Sequence, residues 1–346
     1  MIRVALADDS TFIRKALVRI LDADERLEVV GTATCGEELL DHLAEWQPDV
    51  ISLDLSMPGI GGLRTLDEIM SQRPTPVIIL STHAREDAPL TIEALHRGAV
   101  DFIDKQRYSL VDFHSLSKIL IERILEIAGA SNGSLPTDRP TPQRPRPIMR
   151  EDRSTGHDLL IVAASTGGPM AIQQVLEGLG PNLAVPAVLI QHMPPDFTAA
   201  FADRLNNKLP FAIRHAEDGD LLLPGTAYVA PGGYQLLFEQ RTQGLTAVLS
   251  EEHGNAAHRP SADPTLLSAA QVLGNRALAV ILTGMGSDGA LGVTTLARAG
   301  GYAIAQDRAS SIVFGMPRAA IERGAVNEVL ALSDIGPRLS GLLEQA

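Results

Sequence analysis

The chain has 346 residues, enough for two buried cores, and its 45% hydrophobic and 21% charged residues are the balance of an ordinary soluble globular protein. A formal net charge of −13 argues against a nucleic-acid partner, which calls for basic side chains to neutralise phosphates. No apolar run approaches the length of a membrane span, "MIRVALADDS" turns acidic too early for a secretory signal, and the single cysteine, Cys35, excludes an internal disulfide framework and agrees with a cytoplasmic location.

From the start of the chain, "IRVALAD", "LEVVGTA", "DVISLDL", "PVIILS" and "AVDFID" are short apolar runs, each of strand length. Helix-period stretches separate them, such as Phe12 to Leu21, where Ile13, Ala16, Leu17, Ile20 and Leu21 share one face. Alternating strands and helices predict a parallel sheet covered on both sides, and five such units suit the flavodoxin-like doubly wound order. Cys35 reads as a small side chain, buried or half-buried.

In that order the strand ends carry chemistry. Asp8 and Asp9 close the first strand, Asp54 the third, Ser81 the fourth and Lys105 the fifth. Ligands of open parallel sheets bind outside the carboxyl ends of the strands, where the strand order reverses. Three carboxylates brought together there repel one another and call for a hard cation such as Mg²⁺, which accepts one or two carboxylates plus a phosphate. Asp54 would then attack a phosphoryl donor, with the metal and Lys105 balancing the charge. Each residue also has a plainer reading: Asp9 or Ser10 as a helix cap, Asp54 as the start of a turn. The joint pattern of "DD", "LDLSMPG", Ser81 and "DFIDK" resembles the response-regulator receiver domains of two-component signalling, over residues 1–128. That resemblance implies phosphorylation of Asp54 by a histidine kinase and Mg²⁺ at Asp8, Asp9 and Asp54. The chain departs from the usual receiver pattern at Gln106, where proline is common after the lysine, and at Gly61.

Residues 129–155, "GASNGSLPTDRPTPQRPRPIMREDRST", are rich in Pro, Ser and Arg and nearly free of large apolar side chains. Such a segment cannot bury enough surface to offset its ordering entropy and reads as a linker. A second α/β half, residues 156–346, follows with strand runs "LLIVAAS", "AVPAVLIQ", "ALAVILTG" and "YAIAQ". Helical stretches lie at Phe197 to Leu209 and Ala290 to Ala299. Between them, "GTAYVAPGGYQLLFEQRTQGLTAVLS" carries glycine turns that suit hairpins.

The corner "IVAASTGGPMAI", Ile161 to Ile172, suits a phosphate cradle, a turn presenting Ser165 as a nucleophile, or a tight strand-to-helix connection. Neither phosphate-loop signature is present, no lysine follows the glycines, and G-x-S-x-G is missing because Ala163 stands two residues before Ser165. No metal-ligand pattern suggests a zinc enzyme. A nucleophilic serine needs a base and a group that orients the base. Of His192, His253 and His258, His192 is best placed, at the end of a strand on the same sheet edge. Asp288, after another strand and a glycine turn, is the matching carboxylate. Taken singly, His192 reads as a packed histidine, Asp288 as a helix cap, and Met193 and Met285 as core fillers.

Together, "ASTGGP", "QHMPPDFTAAFADRLN", "YVAPGG", "HRPSAD", "LTGMGSDGA" and "IVFGMPRAAI" resemble the catalytic domain of the protein-glutamate methylesterases of bacterial chemotaxis, the CheB family. The resemblance implies Ser165 as nucleophile, His192 as base and Asp288 as orienting carboxylate. It implies oxyanion donors at Met285 and at the helix start behind Ser165, beside Gly167, with Thr166 and the "HRPS" loop, including His258 and Arg259, bordering the substrate. The implied substrate is a γ-glutamyl methyl ester on a methyl-accepting chemoreceptor, with glutamine deamidation as a further activity and no cofactor for the ester chemistry. A CheA-type kinase is the implied phosphodonor, and an unphosphorylated receiver resting over the Ser165 crevice is the expected means of control. A receiver with a DNA-binding output, or a scaffold with a spent site, remain alternatives at this level.

Overall fold

The computed structural model describes residues 1–81, 88–104, 113–131, 156–252 and 256–343. They belong to two compact units, Met1–Thr137 and Asp138–Ala346. Lys105, Gln106, His253 and most of the expected linker lie outside the described residues.

The first unit alternates β1 (Ile2–Ala7), α1 (Thr11–Leu21), β2 (Leu27–Ala33), α2 (Gly36–Trp46), β3 (Val50–Asp54), α3 (Gly61–Gln72), β4 (Val77–Ser81), α4 (Ala88–His96), β5 (Asp101–Asp104) and α5 (Phe113–Ser131). Its sheet is parallel in the order β2-β1-β3-β4-β5, the flavodoxin-like order. Strands β3 and β4 are buried at every position, as expected for central parallel strands with helices on both faces. Ser10 caps α1 by accepting the Ile13 N–H, while Leu17 and Leu21 of that helix are buried. Cys35 is half-buried at the start of α2. Helix α5 runs past Ala128 to Ser131, into the segment expected to be linker, because no proline intervenes before Pro136 and a helix already nucleated extends at little cost.

The second unit comprises β6 (Leu159–Ala164), α6 (Gly168–Gly178), β7 (Ala187–Gln191), α7 (Pro195–Lys208), β8 (Ala212–His215), β9 (Thr226–Val229), β10 (Gln235–Arg241), β11 (Gly244–Ser250), α8 (Ala262–Val272), β12 (Ala277–Ile281), α9 (Ala290–Arg298), β13 (Tyr302–Gln306), α10 (Met316–Glu322), β14 (Glu328–Leu330) and α11 (Leu332–Leu343). Seven strands form one parallel sheet in the order β14-β13-β12-β6-β7-β9-β8. The glycine-rich stretch expected to form hairpins divides in two. Its start, Thr226–Val229, enters the large sheet as β9, and the remainder folds as the antiparallel hairpin β10–β11. The hairpin is tied to α8 through Phe238 N–H to Ser268 Oγ at 2.9 Å and Thr265 Oγ1 to the Leu236 carbonyl at 2.8 Å. Tyr228 is fully buried in this core, and its hydroxyl is satisfied by the Leu221 carbonyl and the Leu223 N–H. The chain leaves β6 toward β7 on one side and later returns to place β12 on the other. The strand order therefore reverses at β6, and the crevice at that point lies between the ends of β12, β6 and β7.

Candidate active site and phosphoacceptor site

Ser165 owes its place to a sheet that continues past its named strands. Leu282 N–H donates to the Ala163 carbonyl at 2.9 Å and Ser165 N–H to the Thr283 carbonyl at 3.0 Å. Gly167 then takes a left-handed conformation, φ 75°, and α6 begins with Pro169 in its first turn, where a missing N–H costs nothing. At Gly168 a Cβ would lie 2.0 Å from Oε1 of Gln191 and 2.7 Å from the Ala164 Cβ. The Ser165 carbonyl accepts the Gly168 N–H at 2.8 Å and Gln191 Nε2 at 2.9 Å. Ser165 is half-buried and Thr166 buried. The N–H groups of Ser165 and Gly168 are thus engaged, while those of Gly167 and Met285 have no backbone acceptor among the described residues.

His192 follows β7, and the pairing of Ala164 with Gln191 makes it the register neighbour of Ser165. Its Nε2 lies 2.7 Å from Asp288 Oδ2, with the His192 side chain 7% exposed. Nδ1 is buried and has no hydrogen-bond partner among the described residues. With Nε2–H donated to the carboxylate, Nδ1 carries the lone pair. No hydrogen bond joins Ser165 Oγ to His192 here. Free enzymes commonly hold such pairs loosely and tighten them on substrate.

Asp288 sits between two helices. Besides His192 it accepts Ser261 Oγ at 2.7 Å, Ala262 N–H at 2.6 Å and Asp263 N–H at 3.0 Å, so the unpaired start of α8 grips the carboxylate. Burial pushes its pKa up, but the hydrogen bonds from His192, Ser261 and Ala262 outweigh that and hold it below the ordinary carboxylate range. Asp263 reciprocates by accepting the Gly292 N–H of α9 at 2.7 Å; burial, with Asp288 nearby, raises its pKa. Asp288 therefore holds the helix before it in sequence rather than capping α9, whose N-cap is Gly289.

The exposed His258 stacks its ring on His192, centroids 4.2 Å apart and planes 24° apart. Arg259, half-buried, donates to the Glu251 carbonyl at 3.0 Å. Met285 follows Gly284, where a Cβ would approach the Ser165 Cβ to 2.8 Å. The crevice thus gathers Ser165, Thr166, Gly167, His192, Met285 and Asp288 on one sheet edge, with His258 over the imidazole. Neither Gln191 nor Thr283 stands out in the sequence, and Ser261 enters there only with the "HRPS" loop at the substrate border, not as a partner of Asp288.

In the first unit, carboxylate oxygens of Asp8, Asp9 and Asp54 all lie within 4.8 Å of one another. Asp8 and Asp54 are buried and Asp9 is exposed. Asp8 accepts the Ser10 N–H at 2.9 Å and Asp54 the Ser56 N–H at 3.0 Å. Ser81 Oγ is buried with no hydrogen-bond partner among the described residues. An all-oxygen cluster beside an unsatisfied hydroxyl suits a hard divalent cation and a phosphoryl group.

Residues 160–339 match the CheB methylesterase family and residues 4–127 the response regulator receiver domain. The protein-glutamate methylesterase/protein-glutamine glutaminase of Halalkalibacterium halodurans is 41% identical over 336 residues, covering 96% of this chain and 95% of that one. The protein of the same description from Geobacillus kaustophilus is 40% identical over 344 residues, covering 99% of each chain. The crystal structure of the Thermotoga maritima CheB methylesterase catalytic domain superposes with a TM-score of 0.52 at 35% identity, over 56% of this chain and all of that one. Among the described residues no helix is long and apolar enough to cross a membrane. A receiver unit followed by a parallel α/β unit, with family matches in both and relatives alike over nearly their whole length, makes this chain a member of the CheB methylesterase family.

Proposed function

We propose that the second unit hydrolyses γ-glutamyl methyl esters of chemoreceptors, and deamidates glutamine at such sites, with Ser165 as nucleophile. Ser165 Oγ attacks the ester carbonyl while His192 Nδ1 takes its proton. Asp288 holds the opposite ring nitrogen and stabilises the imidazolium. The tetrahedral oxyanion accepts hydrogen bonds from Met285 N–H and from the helix start at Gly167, with Thr166 bordering the substrate. Collapse expels methanol, which receives the proton from Nδ1. Water, deprotonated by the same nitrogen, then cleaves the acyl-serine to leave glutamate. With glutamine as substrate, ammonia is the first leaving group. His258 and Arg259 border the substrate. The observation that carries this reading is the 2.7 Å pairing of His192 Nε2 with Asp288, which leaves Nδ1 free beside the strand end bearing Ser165. Methanol release from methylated receptor membranes tests it: Ser165→Ala should release none, and turnover near that of the parent would remove the assignment.

Residues 1–128 would serve as the receiver, residues 129–155 as the linker and residues 156–346 as the catalytic domain. Asp54 accepts a phosphoryl group from a histidine kinase, with Ser81 and Lys105 as switch residues. Asp8, Asp9 and Asp54 would hold Mg²⁺, which supplies charge neutralisation between carboxylates and phosphate. Phosphorylation raises esterase activity by changing the population of two domain arrangements. If a phosphodonor leaves methanol release by the full chain unchanged, this control is excluded.

A further inference from the structure

The motif "IVFGMPRAAI", Ile312 to Ile321, plays no part in the chemistry above, yet it packs against the loop leaving β12. Gly284 N–H donates to the Val313 carbonyl at 3.0 Å. In return, the N–H groups of Gly315 and Met316 both donate to the Gly284 carbonyl, at 3.1 and 2.9 Å. A trans peptide is planar, so its C=O and N–H point in opposite directions. Pinning the Gly284 carbonyl from residues 315 and 316 therefore fixes the direction of the Met285 N–H on the other side of the same peptide. Little slack remains. A Cβ at Gly315 would lie 2.6 Å from the Gly284 oxygen and 2.9 Å from the Gly286 nitrogen. On the far side, Gly284 already abuts Ser165.

Thr283 joins this peptide to the nucleophile turn. Its hydroxyl donates to the Thr166 carbonyl at 3.0 Å and accepts the Val313 N–H at 2.9 Å. Its carbonyl accepts the Ser165 N–H at 3.0 Å, and its own N–H donates to the buried Gln306 Oε1 at 2.8 Å. Thr283 is 1% exposed, so water does not compete for these bonds.

We propose that Val313–Met316 is a positioning element of the oxyanion site: Gly315 and Met316 aim the Met285 N–H, and the Thr283 hydroxyl keeps that peptide in register with Ser165. This rests on the reading of Met285 as an oxyanion donor. One such donor contributes roughly 10²–10³ in rate, and a hydrogen bond weakens steeply as its angle closes. A displaced peptide should therefore lower kcat while leaving substrate binding intact.

The test uses the full-length protein with phosphodonor and methylated receptor membranes. Gly315→Ala should lower kcat by on the order of 10²-fold with KM changed by less than about threefold. A folded Gly315→Ala with parental kcat, or one that changes only KM, overturns the proposal. If Gly315→Ala does not fold, the pair Thr283→Val and Thr283→Ser decides. Loss of about tenfold in kcat for Thr283→Val, restored by Thr283→Ser, supports it; parental kcat in Thr283→Val overturns it. Ser165→Ala runs alongside. If that variant releases methanol, the underlying esterase reading falls and this inference with it. If it is inactive while Gly315→Ala is folded and fully active, the inference alone fails.

Discussion

The imidazole of His192 meets Asp288 through Nε2, at 2.7 Å, and that carboxylate is also the anchor for the start of α8 through Ser261, Ala262 and Asp263. One side chain thus holds the His192 ring and ties the loop after β12 to a helix. An asparagine there keeps one acceptor oxygen and adds an N–H₂ that faces donors. Asp288→Asn should reduce kcat for methanol release by on the order of 10⁴ and lower stability by about 1–3 kcal/mol. Initial rates and thermal unfolding measure the two effects separately. A variant that loses activity but melts like the parent would mean that the α8 contacts contribute nothing.

In the proposed phosphoacceptor cluster, Asp9 is exposed whereas Asp8 and Asp54 are buried. Removing one carboxylate from a shared cation site weakens it without removing the acceptor. Asp54→Asn should abolish hydroxylamine-labile incorporation of phosphate from a small acyl phosphate, whereas Asp9→Asn should raise the Mg²⁺ concentration needed for half-maximal labelling by about tenfold or more. Labelling of Asp9→Asn at parental Mg²⁺ concentrations would exclude Asp9 as a ligand.

The strands that place these sites were legible because they are apolar runs buried on both faces, as in "VISLD", "VIILS" and "LLIVAA". Polar residues at the ends of such runs stand out, as Asp54, Ser165 and His192 do. Strands β8 and β14 were not legible. They are short edge strands, "AIRH" and "EVL", with half-exposed or exposed positions, and they carry neither a continuous apolar run nor a full alternation. The α8 grip on Asp288 was hidden for another reason. Its donors lie 25 to 27 residues away in sequence, so it arises only when α8 docks on the sheet edge. The choice of His192 nitrogen is likewise set by tertiary placement and not by any local pattern.

Tyr302 gives the second unit a pH dependence at high pH. Burial, followed by its hydrogen bond to Glu328, pushes the phenol up to about 12, and Arg338 holds Glu328 through a paired contact at 2.7 and 2.8 Å. The folded state keeps the phenolic proton where the unfolded chain releases it. This contribution to stability is complete below pH 10 and is lost as pH rises from about 10 to about 12. Tyr302→Phe should remove that part of the slope, worth about 1 kcal/mol after allowance for the half-exposed ring. Urea unfolding of both proteins across this range is the measurement, and parallel curves would show that the pair makes no such contribution.

Gln191 holds the turn that carries Ser165, with Nε2 on the Ser165 carbonyl at 2.9 Å. Its Oε1 is buried and has no partner among the described residues, so the side chain gains one hydrogen bond while leaving one acceptor desolvated. Replacing it by an apolar residue of similar size removes both terms. Gln191→Leu should therefore change stability by less than about 1 kcal/mol, while freeing the Ser165 carbonyl enough to reduce kcat several-fold. Gln191→Glu is the opposite case. It places a carboxylate against a carbonyl oxygen at a site 3% exposed, and should cost about 3 kcal/mol or more unless the acid protonates. That cost falls as pH is lowered, because a protonated glutamic acid can donate to the Ser165 carbonyl. Thermal unfolding of the two variants between neutral and mildly acidic pH checks the contrast. Equal stability of Gln191→Leu and Gln191→Glu at neutral pH would mean that the amide does not lie against Ser165 in solution.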